Sequence, residues 1–582
     1  WLSRASPAYR ADTVRMSTQT NLQEQFDAAR DDGAWIASPR PPRGWPRRAD
    51  GQPATVARPF GCPPWHALEP RGIPHLTRES FPYARAVSVA AGPCARSHRD
   101  APDAAVPIKE EVERLAWRPA PPGTVRSAGE WTALTLPATG RGCLRAAVLD
   151  MGRPTVGTLR VEAAGAAGGE ILDFHGSEIV EEGRPKIHGA PGGPPSISMV
   201  WRLGLRRGRT RHEFHQIIGH RYLLVIARDS ARPIRLRLSL RETRYPLVVR
   251  GRFAASDATL NEVWRICVRT QEVCMLDAYV DTPWREQAQW WGDARVQAAN
   301  TFHLSDDPRL LARGVRIIAR QRTPNGLTYG HAPTNCHGCV IPDFTLIWIL
   351  TVRDHYWQTG SPALAAEQWR NLLAALAYFT GEGRGPNGLL RHDERYWLFL
   401  DWADLHKTGT PTLLNLWLLV ALDALQEMAR ALGRPGEARR LSALQADHAA
   451  LVEKHLWDSA TGLYHDGLTP RGRPVRTHSV HNQTLAILVG RHPEAWPAMV
   501  RARLLPYLRD EAVPGARPSS YWVGYVYGVM NRLGHGVEVV RHIRRHFAPM
   551  IPFGGTRENW NSGTHTHAWA AHPIQHLAAS LG

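Results

Sequence analysis

The sequence predicts a multidomain chain, with an N-terminal antiparallel β-sandwich followed by an all-α (α/α)6 toroid. Three observations point there. At 582 residues and 43% hydrophobic content the chain is several times a typical domain of about 100–150 residues and can bury a large core. Between about 130 and 250, short apolar runs with partial alternation are punctuated by Gly and Pro, the texture of an antiparallel sheet. After 255 the period changes to helical, in about a dozen segments.

Residues 1–33 read as a leader, a disordered arm or a terminal helix, with Met16 as a candidate start and no apolar signal-peptide region after it. Residues 34–250 form the sandwich region, jelly-roll-like in character. Its first part, to about 125, is rich in Pro, Arg and Gly, and "RPPRGWPRR" (40–48) reads as a solvated loop. The β runs follow, among them "CLRAAVLDMG", "GTLRVEAAG", "EILDFHGSEIV" and "IRLRLSLRETRY"; "RLGLRRGRTRHEF" (202–214) reads as a hairpin around a Gly-containing turn. Residues 251–582 form the helical domain. Ser256 is a candidate N-cap for its first helix, and further helices are expected to begin near 293, 307, 342, 361, 411, 435, 477, 492, 518, 536 and 564. "TPTLLNLWLLVALDALQEMARALG" (410–433) has a capping threonine, an apolar stripe and a terminal Gly. Twelve such helices suit either a solenoid or a closed ring of six hairpins. No repeat of 34–45 residues is visible, which favours the ring.

Composition narrows the function. The net charge is +18, but only four of the 71 basic residues are lysine. Dispersed arginine of this kind reflects G+C-rich coding rather than a nucleic-acid footprint, so no nucleic-acid partner is expected. Seven scattered cysteines make no disulfide framework, and "CHGC" (336–339) lacks a second pair at zinc-ribbon spacing. No run of 18 apolar residues suggests a membrane span, and a cytoplasmic setting is expected. A homo-oligomer is allowed but not required.

The chemistry concentrates in "DAYVDTPWREQAQWWGDARVQ" (277–297), where Asp281, Glu286 and Asp293 stand among Arg285 and Trp290. Glu286, Trp290 and Asp293 would share one face if the stretch were helical. Pro283 instead places Asp281 on an irregular loop, with Gly292 and Asp293 opening the next helix. Acids beside Trp are useful where a carboxyl must stay protonated near neutral pH. Glycoside hydrolysis needs such an acid and a second carboxylate across the sugar ring. For that partner the candidate is Glu558 in "PFGGTRENWNSGTHTHAWAAHPIQHL", the one acidic residue after 539. His565, His567, His572 and His576 follow it without a metalloprotease spacing. The 22 Trp supply flat faces for sugar stacking.

"DTPWREQAQWWGDA" resembles the signature of the inverting α-L-rhamnosidases of glycoside hydrolase family 78: an Asp-x-Pro turn, an Arg, an acid, a Trp and a Gly-Asp. "GGTRENW…HTHAW" resembles their C-terminal motif, "GHRYLLV" the strand before their catalytic domain, and "LFLDWADL" (398–405) a Gly-Asp-Trp-Leu loop. The likeness spans roughly 145 to 575. It implies Glu286 as general acid and Glu558 as general base. Asp281, Arg285, Trp290 and Asp293 correspond to rhamnose-binding positions, His567 to a sugar-contacting His and Trp402 to a pocket aromatic. It implies a rhamnose-containing glycoside or oligosaccharide as substrate, and no metal or cofactor in the chemistry. Two departures bear on substrate range rather than reaction type: Glu286 directly follows Arg285, and Leu400 stands where Gly is usual. The alternatives are another helical-toroid glycosidase, a polysaccharide lyase, or a non-catalytic carbohydrate-binding protein.

Overall fold

The structure, a computed structural model, describes residues 6–17, 19–31, 69–95, 98–187, 197–336 and 338–581. The 40–48 loop expected from sequence lies outside them. Contacts divide the chain into two compact units. One is Trp1–Tyr245 together with Pro283–Glu286; the other is Pro246–Thr282 with Gln287–Gly582. The first is β-rich and the second helical.

The main strands of the β-rich unit are β1 (Glu24–Asp27), β2 (Arg85–Pro93), β3 (Trp131–Leu136), β4 (Cys143–Ala166), β5 (Ile171–Ser177), β6 (Val200–Gly204), β7 (Gly208–Glu213), β8 (Ile218–Arg228) and β9 (Ile234–Glu242). With three short strands they make one twelve-stranded sheet. The runs "CLRAAVLDMG" and "GTLRVEAAG", expected as two strands, are a single strand of 24 residues, β4. Its first half pairs with β2 and β8, and its second half with β7 and β9. The pairing is antiparallel except for β1 with β6, which is parallel. Side-chain alternation sorts the apolar residues onto two faces. Ala147, Leu149, Leu223 and Val225 enter one core with Trp201. Leu144, Val148, Leu224 and Ile226 enter another, closed by Ile108 and Val112 of helix α1 (Ala105–Arg114). Burial on both faces is why "LLVIA" in β8 reads as a continuous apolar run.

Two expectations for this unit are corrected. The 202–214 segment is not a hairpin: β6 pairs with β5 and β1, whereas β7 pairs with the far half of β4. The turn between them redirects the chain to a different neighbour. Residues 1–33 do not form a terminal helix where they are described; β1 adds to the sheet, and Ala8 and Met16 lie in its core.

Buried charge crosses the sheet. Asp173 accepts both Nε (2.6 Å) and Nη2 (2.9 Å) of Arg202, and Nε of Arg228 at 2.9 Å. Arg228 also pairs with Glu111, and both Asp173 and Arg228 are fully buried. Burial pushes the Asp173 carboxyl up, but Arg202 and Arg228 outweigh it and hold it below its usual range.

The helical unit comprises α2 (Ala258–Val273), α3 (Trp291–Leu304), α4 (Arg309–Arg320), α5 (Pro342–Thr359), α6 (Ala363–Thr380), α7 (Thr412–Ala431), α8 (Pro435–Leu456), α9 (Val480–Leu488), α10 (Val523–Arg532), α11 (Gly536–Phe547) and α12 (Pro573–Leu581), with shorter turns between. Asp257, not Ser256, caps α2, accepting the Thr259 N–H. Pro411 stands at the N-cap of α7 with no side-chain bond, so the expected threonine cap is absent. Helix α7 is long and apolar enough to cross a membrane, yet its apolar stretch is 89% buried inside the unit, as a core helix is. The last helix starts at Pro573 rather than near 564, because the preceding residues form a loop around Glu558.

Removing Arg228 leaves two buried carboxylates without their shared cation. Arg228→Gln is therefore expected to destabilise the β-rich unit by about 3–5 kcal/mol. Its calorimetric transition should fall by roughly 6–20 °C. An unchanged transition would show the network to be dispensable.

Candidate active site

Asp281 lies on the loop that ends α2, fully buried. Its N–H donates to the Ala288 carbonyl at 3.0 Å, and the Ala288 N–H returns to its Oδ1 at 3.1 Å. Its own carbonyl accepts the Ala568 N–H at 3.0 Å, which fastens the C-terminal loop to it. Trp290 is extended, and α3 starts at Trp291, so Asp293 sits in the first helical turn, where the helix dipole favours an acid. The shared helical face of Glu286, Trp290 and Asp293 does not form, since Asp293 alone of the three is helical. The two adjacent tryptophans divide their work: Trp291 is core, its Nε1 donating to Thr351 at 2.8 Å, and Trp290 stays partly open.

Glu558 occupies a tight loop. Its Oε2 accepts the Thr564 N–H at 3.0 Å and the Thr564 hydroxyl at 3.3 Å, while its own N–H donates to the Thr564 carbonyl at 2.9 Å. Its carbonyl accepts Trp569 Nε1 at 2.8 Å and the Ser520 hydroxyl at 2.5 Å. Gly563 (φ +83°) makes the turn possible, for a Cβ there would lie 2.5 Å from Glu558 Oε2. His567 joins the acids: Nε2 is 3.0 Å from Asp293 Oδ1, and Nδ1 is 2.8 Å from Thr564 Oγ1 and 3.9 Å from Glu558 Oε2. Asp281, Asp293, Glu558 and His567 are thus gathered within the helical unit.

An aromatic run flanks them. Trp290 lies tilted against His331 (4.2 Å between centroids) and meets Trp397 edge-on at 5.9 Å; Trp397 reaches Trp402 at 6.1 Å. Trp402 is 48% exposed. Phe399 touches Trp402 and stacks toward Trp569 at 6.1 Å. The 398–402 loop is held by two buried acids. Asp343 accepts the N–H groups of Phe399 (3.2 Å) and Leu400 (2.9 Å). Asp401 accepts His481 Nε2 at 2.9 Å, the Ser519 N–H at 3.0 Å and the Ser519 hydroxyl. Leu400 has φ +55°, in the left-handed region that favours glycine; here a buried side chain and a fixed N–H offset the strain. Sequence reasoning missed Trp397, Asp343, Asp401, Gly563 and Thr564. Two of them carried a signal: Trp397, five residues before Trp402 in a Trp-rich loop, and Asp401, the acid of the stretch that resembles a Gly-Asp-Trp-Leu loop.

Arg285 and Glu286 belong to the first unit's Pro283–Glu286 segment and pair with each other at 2.6 Å. Beside them Trp284 enters the β-rich core, its Nε1 donating to the Gly176 carbonyl at 3.1 Å. The Pro283 carbonyl accepts the Gly219 N–H at 2.7 Å, an approach that a Cβ on Gly219 would block at 2.6 Å.

The thiols of Cys336 and Cys339 lie 2.6 Å apart, and with His331 they form a donor set within 4.8 Å that suits a soft cation such as zinc. The four C-terminal histidines make no such set among the described residues: His572 meets the Ser520 carbonyl and His565 faces Arg557.

Residues 249–518 match the family described as the bacterial alpha-L-rhamnosidase 6 hairpin glycosidase domain. Among solved structures, the chain is similar to the GH78 family rhamnosidase of Bacillus sp. GL1, with a TM-score of 0.84 and 21% identity over 98% of this chain and 77% of that one. It is similar to a rhamnosidase from Klebsiella oxytoca with rhamnose bound (TM-score 0.66, 18% identity, 86% of this chain and 96% of that one). A third is the α-L-rhamnosidase of Streptomyces avermitilis complexed with L-rhamnose (0.59, 18%, 77% and 43%). No curated protein sequence matches the chain. The fold is six-hairpin glycosidase-like and related to that of rhamnosidases.

Asp343 gives the site a pH signature. Burial pushes its carboxyl up to about 6, against the pull of the Leu400 and Phe399 N–H groups. The folded state therefore binds this proton more tightly than the unfolded chain, whose Asp titrates near 3.9. Its stabilisation is complete below about pH 4 and is lost as pH rises through about 6, a total of about 3 kcal/mol. Asp343→Asn should flatten the stability profile between pH 4 and 7. An identical profile in the variant would refute the shift.

Proposed function

We propose that this protein is a glycoside hydrolase that releases terminal α-L-rhamnose from rhamnosides by inverting single displacement, on an (α/α)6 toroid formed by the helical unit. The observation that carries the reading is the junction of Asp293, His567 and Glu558, in which one imidazole bonds Asp293 and stands 3.9 Å from Glu558 beside an aromatic run. The match of 249–518 to a rhamnosidase hairpin domain supports the same reading.

In this mechanism Glu286 gives its proton to the glycosidic oxygen as the bond to the anomeric carbon breaks. Glu558 takes a proton from the water that attacks that carbon from the opposite face. Glu286 ends the step as a carboxylate, the form that pairs with Arg285 at 2.6 Å. The Thr564 N–H and hydroxyl orient Glu558 Oε2. Asp281, Arg285, Asp293 and His567 bind the sugar hydroxyls, while Trp290 and Trp402 cover its apolar face.

Aryl α-L-rhamnoside, assayed beside a panel of other aryl glycosides, tests substrate and reaction together. Release from rhamnoside alone is expected; release from another glycoside instead, or an ultraviolet-absorbing unsaturated product, would overturn the assignment. Glu286→Gln should nearly abolish cleavage of poor leaving groups and spare activated aryl rhamnosides. Glu558→Gln should slow both, each by about 10²–10⁴-fold where the group is needed. Full activity in Glu558→Gln would remove it as the base. Gly563→Ala should lower kcat at least tenfold and also lower the unfolding temperature, because its methyl displaces Glu558 Oε2 and an alanine at φ +83° is strained; wild-type kcat would show that the carboxylate need not be held there.

A further inference from the structure

The stretch from His331 to Cys339, "HAPTNCHGC", contains no Leu, Ile, Val, Met, Phe, Tyr or Trp. It has little apolar surface with which to fix itself. Its base is held by the backbone instead. Tyr329 stands opposite Val340 in an antiparallel bridge, and the Gly330 N–H donates to the Cys339 carbonyl at 2.7 Å. His331 and Cys339 are thus the two ends of a loop. Within it the Cys339 N–H donates to the Cys336 carbonyl at 3.1 Å, a turn that brings the Cys336 thiol back beside that of Cys339. His331, Cys336 and Cys339 each place a donor atom within 4.8 Å of the others. The CxxC spacing alone does not reveal this set, because the imidazole comes from the opposite end of the loop.

Two thiolates and an imidazole are the donors that select zinc over magnesium or calcium. Binding would release the two thiol protons to solvent. One dication and two thiolates sum to no net charge, so no unpaired charge is brought beside Trp290. The sulfurs stand 2.6 Å apart. Two zinc–sulfur bonds of about 2.3 Å at a tetrahedral angle hold them about 3.8 Å apart. Cys336 is exposed, and turning its χ1 supplies that opening of about 1 Å. The same exposure leaves the fourth tetrahedral position to water. A disulfide would use the thiols alone; the imidazole beside them is what points to a metal. The loop also touches the candidate site. His331 pairs with Trp290 across an isolated bridge, and their ring centroids are 4.2 Å apart. The Gly330 carbonyl accepts the Trp291 N–H at 2.8 Å, and the Val340 carbonyl accepts the Trp397 N–H at 3.1 Å. An ion bonded to His331 fixes the imidazole against which Trp290 rests.

We propose that His331, Cys336 and Cys339 form a zinc site that stiffens this loop and so positions Trp290. The ion takes no part in hydrolysis, and its binding does not rest on the rhamnosidase reading. The full chain, reduced and stripped of metal, can be titrated with Zn²⁺ alone against a chromophoric chelator. Uptake with a Kd of about 1 μM or below is expected. Co²⁺ in its place should give a thiolate-to-metal charge-transfer band. Asp458, His465 and His478 also bring donor atoms within 4.8 Å of one another, so uptake alone does not locate the ion. Cys336→Ala should remove one equivalent of tightly bound zinc together with the cobalt band, and Cys336→His should restore uptake with a weaker band. No tight uptake by the reduced protein, or uptake and band unchanged in Cys336→Ala, would overturn the site. Zinc should also slow amide hydrogen exchange over 288–291 and 329–340; unchanged exchange would overturn the positioning of Trp290. With an aryl α-L-rhamnoside, loss of the zinc should raise KM about 2- to 10-fold, the worth of one aromatic contact, and leave kcat nearly unchanged. If no rhamnoside is cleaved, the rhamnosidase reading falls, and the titration and the exchange still decide the zinc site.

Discussion

The imidazole of His567 is the constraint on which the site depends. It stands between Asp293, at the start of α3, and the Thr564–Glu558 loop, 274 positions apart for Asp293. Its Nε2 lies 3.0 Å from Asp293 Oδ1 and its Nδ1 2.8 Å from the Thr564 hydroxyl, so the two ring nitrogens hold the two stretches together. Both acids are buried, and each would be costly to keep there without such partners. A shift of the C-terminal loop would therefore break the contact between His567 and the buried Asp293 on α3.

That constraint spreads through two consecutive serines. Ser519 donates to Asp401, and Ser520 to the carbonyl of Glu558. Asp401 in turn meets His481 on α9, and its neighbour Leu400 is tied to Asp343 on α5. Five separate stretches of chain are thereby fixed by buried polar contacts rather than by apolar packing alone. Networks of this kind are directional, so they define positions that apolar contacts leave loose.

Much of this could be read in the amino-acid order, for identifiable reasons. Local signals were reliable: the change of period near 255 marks the passage from β to helix, and Pro342 and Pro435 each open a helix at its expected residue. Asp281, Asp293 and Glu558 stood out because acids among tryptophans are unusual. Information held in tertiary partners was not legible. Nothing local distinguishes Asp257 from Ser256 as a cap, or shows that the chain of β4 runs on through Met151. The loop before α12 looked helical because its apolar residues are spaced for it; it is diverted by backbone bonds to Glu558 and Asp281 that no periodicity encodes. Asp343 was invisible for the same reason, since a buried acid in a first helical turn differs from an exposed one only by what surrounds it.

The tryptophan at 284 also has a temporal consequence. The β-rich unit draws its sequence from 1–245 and then from Pro283–Glu286, with helix α2 spelled out in between. A ribosome delivers residues in order, and domains ordinarily fold as they emerge. Here the first unit has all its strands about forty residues before it has the indole that fills its core and bonds to Gly176. During that interval a nascent chain holds an open socket in its sheet. Its final consolidation is timed by the arrival of the segment that carries Glu286.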